Sequence, residues 1–304
     1  MGHNDGLIGF FQRLAAYDRF AERYRIRPLR LEESTLDTLL AIWGEWDGKD
    51  QPTIGIVTRT DDDVRVSSLE IDRRYCADRG IEAVIADPRE LSFEGGRLRA
   101  GDVELDLVHR VMTTAECLAA RDEVAALLDA VADGAVCMVN SFRSELLGHK
   151  AIFALLTDPS YDFGFTAREG ETIRTHVPWT RQMFDGRTTG MDGAEVDLVD
   201  YVVEHRERMV LKPTHDFGGH GVRLGWHEGE EEWRDSIRKA LDSDYLAQHR
   251  VELRREEYPT MATPVERRPY YEDTGPFLFR GSPGEMTNVH AEGSVVAPFA
   301  IEPR

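Results

Sequence analysis

Lysine is scarce in this chain. Of the 37 Lys and Arg residues among 304, only Lys49, Lys150, Lys212 and Lys239 are lysines. Chemistry that needs a mobile ammonium group therefore has few addresses, and two of the four stand beside the most unusual local sequences. Lys212 ends the β-type run of VLKP (210–213), and a loop with Gly218, Gly219 and Gly221 follows before the chain returns through Val222, Leu224 and Trp226. Glycines allow positive φ and a close approach of backbone N–H groups to an anion. A lysine at the base of such a hairpin adds a point charge suited to phosphate. A flexible hairpin with turn glycines satisfies the same pattern equally well. It is not a Walker loop, since no GK[ST] follows the glycines and no helix opens there.

Lys150 is preceded by NSFRSELLGH and opens a segment whose Ile152, Phe153, Leu155 and Leu156 are apolar. A lysine at that helix start could reach phosphates above a sheet edge, or simply be solvated. Gln248, in YLAQHRV, lies on an expected strand after the glycine hairpin and a helix, where backbone groups could pair with a planar base beside Leu246 and Val251. Other familiar chemistries lack their residues. Cys76, Cys117 and Cys137 have no metal-ligand spacing and read as buried free thiols, and the ten histidines form no HExxH pair.

The elements that must position these residues divide into two patterns. Residues 7–46 read as helical, with stripes at Phe10, Phe11, Leu14 and Phe20 and at Leu36, Leu39, Leu40 and Trp43. TIGIV (53–57) reads as a buried strand, SSLEIDRRYCADRG as a helix stopped by Gly80, and IEAVIADP (81–88) as a second strand. A hairpin around Glu94-Gly95-Gly96 follows, with a turn at Gly101-Asp102 and alternation at Val103, Leu105 and Leu107. The spacing predicts one helix over 114–133, a buried strand AVCMVN (135–140) and a helix begun by HKAIFALLTDP (149–159). This alternation predicts an α/β, Rossmann-like, largely parallel sheet, without the GxGxxG of a dinucleotide site. From 194 the pattern becomes α+β: a helix (195–208), the glycine hairpin (209–226), the helix EEEWRDSIRKALD and a strand YLAQHRVEL (245–253). The stretch 254–276 reads as an irregular loop, and FLFRG (277–281) and SVVAPFAI (294–301) as strands. The expected organisation is a helical segment 1–52, a Rossmann-like domain 53–148 and a third part 149–304.

Composition bounds the partners. The chain is 41% hydrophobic and 31% charged, as globular domains are. A net charge of −19 opposes binding to nucleic acid or to an anionic membrane surface. No apolar run approaches the ~20 residues of a membrane span, and the first residues have no signal-peptide pattern, so a cytoplasmic location is expected.

Taken in order, DPREL (87–91), FEGGRL (93–98), DLVHR (106–110), VNSF (139–142), HKAIFALL, PWTR (178–181), VLKP with its glycine loop, YLAQ and FLFRG…APFAI resemble the circularly permuted ATP-grasp family, related to glutathionylspermidine synthases and eukaryotic-type glutathione synthetases. The match spans about residues 20–300. The resemblance implies a Rossmann-like pre-ATP-grasp sheet followed by an ATP-grasp lobe with a hairpin flap. It implies ATP and Mg²⁺ as cofactors and ADP-forming ligation, in which a substrate carboxylate takes the γ-phosphoryl group and an amine attacks the acyl phosphate. Lys150 and Lys212 resemble the phosphate-contacting lysines, Gly218, Gly219 and Gly221 the phosphate-covering loop, Gln248 the adenine hinge, and Asp216 an acidic Mg²⁺ ligand. Arg110, Arg143, Arg181 and Arg280 are candidates to hold an anionic substrate, Arg280 among the catalytic set, and each is read equally as a structural ion-pair partner.

Two departures bear on activity. The family's Glu-x-Asn pair, which completes the Mg²⁺ site, has no counterpart, and the sequence reads as shortened at its N-terminus. The stretch after FRG is also short, with Glu285, Asn288 or Glu292 as replacement ligands. The leading expectation is an ATP- and Mg²⁺-dependent carboxylate–amine ligase acting on a small metabolite or peptide. The alternative is a catalytically impaired relative that binds nucleotide or peptide as a partner subunit, or a chain whose site a protein partner completes.

Overall fold

The computed structural model describes residues 3–46, 50–216, 218–259, 263–275, 279–287, 294–296 and 299–303. Lys49, Phe217, Asn288 and Glu292 thus lie outside the described residues, as do parts of the two C-terminal runs read as strands. The chain divides into two compact units: Met1–Ser144 with Thr274–Phe279 and Val295–Arg304, and Glu145–Asp273 with Arg280–Ser294.

The first unit is built on a four-stranded parallel sheet in the order Ala83–Ala86, Ile54–Val57, Leu107–Arg110, Cys137–Val139. Its central strand is a continuous apolar run because both faces are covered. Ile54 and Ile56 enter one cluster with Leu36, Leu39, Trp43 and Leu69, while Val57 enters another with Leu98, Val108 and Leu127. Gly55 fits this strand because a Cβ there would stand 2.6 Å from Leu105 Cδ1. The helix Asp63–Ala77 begins where the Asp62 side chain accepts from the N–H groups of Val64 and Arg65. The hairpin Leu91–Glu94/Arg97–Ala100 turns through Gly95 and Gly96, both at positive φ.

Three expectations for this unit need correction. The segment 7–46 is not all helix: Tyr24–Pro28 is a strand, paired antiparallel with Phe299–Pro303. Its partner lies at the far end of the sequence, beyond the reach of local periodicity. Phe10, Phe11 and Phe20 stay exposed, and Ile8 is the residue this region buries fully. The helix over 114–133 is two helices, Thr114–Ala119 and Ala125–Ala132. A capping box between Thr113 and Glu116 starts the first, and Glu123 in the intervening turn pairs with Arg59 at 2.9 Å. Leu118, placed on the apolar stripe by spacing, is 70% exposed.

In the second unit an antiparallel sheet runs in the order Arg223–Leu224, Met209–Pro213, Tyr245–His249, Thr180–Gln182. One face packs on the helices Leu198–Glu204 and Glu230–Leu241 through Met209, Leu211, Ala247, Leu198, Val202 and Trp233. Trp233 is fully buried, and its indole N–H reaches the Val202 carbonyl at 3.0 Å. The segment 195–208 opens not as helix but as a strand, Glu195–Asp197, paired with Arg187–Thr189. Asp197 then caps the helix by accepting from Asp200 N–H. The expected loop at 254–276 contains the antiparallel strands Arg254–Pro259 and Arg267–Thr274. Their sequences, RREEYP and RRPYYEDT, are dominated by charged and aromatic residues, so they lack the apolar alternation by which strands are read. Among the described residues no helix is long and apolar enough to cross a membrane.

The motif DPREL acts as a lock in the first unit. Asp87, 2% exposed, takes a two-pronged bond from Arg89 at 2.7 and 2.6 Å and accepts from Thr60 N–H at 2.9 Å. The Arg89 bond holds its carboxyl well below the usual range against the opposing effect of burial. A depressed folded pKa means stability that is present at neutral pH and is lost as pH falls through the folded value. Asp87→Asn is expected to cost about 2 kcal/mol at pH 7. In urea titrations the gap from wild type should narrow as pH falls below about 3.9, and a gap independent of pH would refute the lock.

Candidate functional site

Alternation along Met209–Pro213 sends Met209 and Leu211 into the core and leaves Val210 and Lys212 on the opposite face. The Lys212 ammonium donates to Gln248 Oε1 at 2.7 Å, Gln248 Nε2 donates to Thr180 Oγ1 at 3.0 Å, and the Thr180 hydroxyl donates to the Pro178 carbonyl at 2.8 Å. Lys150 precedes the helix Ala151–Thr157, and its backbone N–H donates to the Thr214 carbonyl at 2.9 Å. Its ammonium donates to the Asp216 carbonyl, so the lysine reaches the glycine loop from below. Burial pushes the pKa of Lys212 down, and the Lys150 charge pushes it further. Burial also lowers Lys150, with Asp216 opposing. Two ammonium groups that repel one another in a partly desolvated place form a strong anion site.

The loop above them is pinned at its base. Thr214 is buried and donates to the Asp244 carbonyl at 2.8 Å. Gly218, Gly219 and Gly221 all have positive φ, at 74°, 80° and 67°. Tyr245 Oη donates to the Gly221 carbonyl at 3.1 Å, and a Cβ at Gly221 would stand 2.6 Å from that oxygen. His215 meets Glu145, and His220 lies 3.7 Å from Asp216. The return strand is shorter than its apolar spacing suggests. It covers only Arg223–Leu224, because the chain leaves the sheet at Gly225, where any Cβ would stand 2.1 Å from the Arg206 carbonyl oxygen. Trp226 therefore lies not on the strand but in a 3₁₀ turn, with the Arg250 guanidinium 3.9 Å above its ring.

These elements enclose a cavity of about 500 Å³, lined by Val210, Lys212, Val222, Leu224 and Gln248, by residues 249–253 and by Arg280 and 285–287. That size and its mixture of apolar walls and converging polar groups suit a nucleotide-sized ligand. Of the residues expected to flank a base, Val251 lines the cavity and is 61% exposed, whereas Leu246 is fully buried and does not line it.

The structure thus brings together Lys150, Lys212, Gln248, Asp216 and the three glycines, with Arg280 on the cavity wall. Arg280 bonds to Asp273, and its buried Nε has no partner among the described residues. Two arginines expected to hold substrate are instead committed to the fold. Arg181 is buried and donates to Thr188, to Thr157 and to the carbonyls of Thr180 and Thr189. Arg110, also buried, donates to the carbonyls of Asn140 and Met112 beneath the Phe142 ring. Arg143 is exposed in the turn Phe142–Ser144 of the first unit. Glu285, a candidate replacement metal ligand, is held by Arg250 at 2.9 Å, by His227 at 3.2 Å and by the Trp226 indole. Sequence reading missed that cluster, and Thr180 with it. The run QHRV after the hinge strand is the one local sign, a cationic residue where the cavity wall begins.

Neither protein-family models nor curated proteins give a match. Among solved structures the chain is similar to a glutathione synthetase-like effector from Globodera pallida, with a TM-score of 0.50 and 10% identity over 82% of this chain. The chain spans about half, 52%, of that protein. It is also similar to the ATP-grasp ligase PsnB complexed with minimal precursor, Mg and ADP (TM-score 0.41, 15% identity, 80% of this chain and 88% of that one). The macrocyclase MdnC from Microcystis aeruginosa, bound with its precursor peptide, gives a TM-score of 0.40 at 11% identity, over 83% and 78%. The mixed α/β architecture expected from the sequence is the one found, and it shares its fold with the glutathione synthetase-like effector.

The flap base yields a structural prediction. Gly221→Ala meets both backbone strain and the Tyr245 and Pro213 side chains, whereas Gly80→Ala meets the same sign of φ in open space. Backbone strain costs about 1–3 kcal/mol by itself. In denaturant unfolding Gly221→Ala should cost more than Gly80→Ala; equal losses would mean the loop base is not held as described.

Proposed function

We propose that the chain is an ADP-forming ligase that joins a carboxylate to an amine with ATP and Mg²⁺. The observation that carries this reading is the approach of Lys150 to the start of a positive-φ glycine loop, close to Lys212, which stands on the wall of a nucleotide-sized cavity. In this reading the two ammonium groups hold the triphosphate, and the N–H groups around Gly218, Gly219 and Gly221 cover it. The base lies along residues 249–253. Asp216 would hold Mg²⁺, which takes oxygen ligands shared with phosphates and would neutralise charge on them. The substrate carboxylate, small-molecule or peptide, pairs with Arg280 on the cavity wall. Its oxygen takes the γ-phosphoryl group, ADP leaves, and the amine attacks the activated carbonyl carbon to expel phosphate. A loop that excludes water protects that intermediate. The order of the motifs supports a circularly permuted arrangement, and the acidic composition supports a cytoplasmic protein without nucleic-acid partners.

One observation favours the second reading, a nucleotide-binding partner subunit without ligase activity. Glu285 is already held by Arg250, His227 and Trp226, so it is poorly placed to replace the family's missing metal ligands.

Nucleotide binding is tested by thermal unfolding with ATP and Mg²⁺. A ligand at 100 times its Kd stabilises by about 2.7 kcal/mol, a clear rise in Tm. Lys212→Ala and Lys150→Ala should each remove most of that rise, and equal stabilisation in the variants would sink the site. Because burial lowers the pKa of Lys212, affinity should fall with rising pH before the ordinary lysine range is reached. ADP release with panels of carboxylates and amines then separates the two readings: binding without turnover favours the partner subunit.

A further inference from the structure

We infer that Gln248 is a positioning residue: its side chain aims the Lys212 ammonium into the cavity and reads no base. The inference deepens the ligase reading and relies on it for the identity of the ligand.

The strand register is the starting point. Gln248 stands opposite Val210 on one side and Thr180 on the other, so its side chain shares a face with Lys212 and lies between the two neighbouring strands. The orientation of its amide is fixed by its partners. Lys212 has only hydrogens to give, so the Gln248 oxygen must face it. The Thr180 hydroxyl spends its own hydrogen on the Pro178 carbonyl, so its oxygen accepts from the Gln248 nitrogen. Both ends of the amide are engaged, and the residue is 7% exposed with Thr180 wholly buried. Although Gln248 and the residues after it line the cavity, little of its amide is left to meet a base.

The residue type also has a reason. A glutamate here would neutralise Lys212. An amide oxygen takes one of the three ammonium hydrogens, leaves two, and leaves the charge whole for an anion. Its dipole opposes the burial and the Lys150 repulsion that push Lys212 toward neutrality.

The test measures calorimetric affinities for ATP and for tripolyphosphate, a base-free anion, both with Mg²⁺. Gln248→Met should weaken both probes to a similar degree, about tenfold. In the Lys212→Met background it should add nothing further. A loss confined to ATP, or one additive with Lys212→Met, overturns the assignment. Gln248→Glu keeps the acceptor and the shape yet should also weaken tripolyphosphate, because the pair becomes neutral; unchanged or tighter binding overturns it. An independent readout is acylation of Lys212 by a neutral amine-reactive ester, followed by mass spectrometry with exposed Lys239 as reference. Gln248→Met should raise the Lys212:Lys239 rate ratio severalfold. If the wild type binds neither probe, the ligase reading falls, and this ratio alone decides: unchanged, it overturns the positioning role.

Discussion

The second unit is organised around two lysine ammonium groups kept near one another and partly out of water. Such a pair is unfavourable by itself, since burial lowers both pKa values and the Lys150 charge lowers that of Lys212 further. The nearest hydrogen-bond partners described are neutral oxygens: the Gln248 amide for Lys212 and the Asp216 carbonyl for Lys150. At Lys212 a neutral partner orients the ammonium group without cancelling it, while Lys150 is partly offset by the Asp216 charge. The arrangement therefore holds charge in reserve, and a polyanion entering the cavity would recover what folding gives up. Stability is traded for binding at this one place, as is usual where strain concentrates at functional sites.

Such a trade needs a rigid base, and the sheet supplies it. Met209, Leu211 and Ala247 anchor the two lysine-bearing and glutamine-bearing strands on Trp233 and its helix. The opposite face is then free to carry polar side chains at fixed separations. The glycine loop is treated differently along its length. Gly221 and Gly225 are pinned by contact with Tyr245 and with the Arg206 carbonyl, whereas Gly219 meets only Met286, at ordinary contact distance. Anchored ends and a lightly packed middle are what a phosphate-covering loop needs, since the ends set its register while the centre adapts to what lies beneath.

How much of this was legible depended on whether the signal was local. TIGIV read as a strand because it is buried on both faces, and Gly80, Gly95 and Gly96 marked turns because their backbone requires positive φ. Lys212 with its glycines, and Lys150 at a helix start, were legible as an anion site for the same reason: each carries its chemistry within a few residues. Tyr24–Pro28 was not legible because its partner is Phe299–Pro303. The strands at 254–276 were hidden because RREEYP and RRPYYEDT carry no apolar alternation, their charges pairing both within a strand, as Arg254 with Glu256 at 2.5 Å, and across, as Arg254 with Glu272 at 3.8 Å. Gln248 was found for its place on the hinge strand, where backbone groups were expected to pair with a base, and its side chain was not read. Its position pointed to a base, and only the register with Thr180 and Val210 shows where its amide is spent.

The contrast between 33 arginines and four lysines gains a physical meaning from these contacts. Arginine's planar fork can bind several fixed acceptors at once, and this chain uses it to tie backbone. Arg181 secures Thr180 and Thr189, Arg110 secures Asn140 and Met112, and Arg206 secures Gly225 and Glu228. An arginine so placed has most of its described donors on backbone and threonine oxygens before any ligand arrives. Lysine has one charged atom with rotating hydrogens, and a single acceptor can aim it without exhausting it. Structural ties drawn from arginine and mobile charge drawn from lysine keep the two demands from competing. On that division of labour, the two partly buried lysines are where charge is left over for something outside the chain.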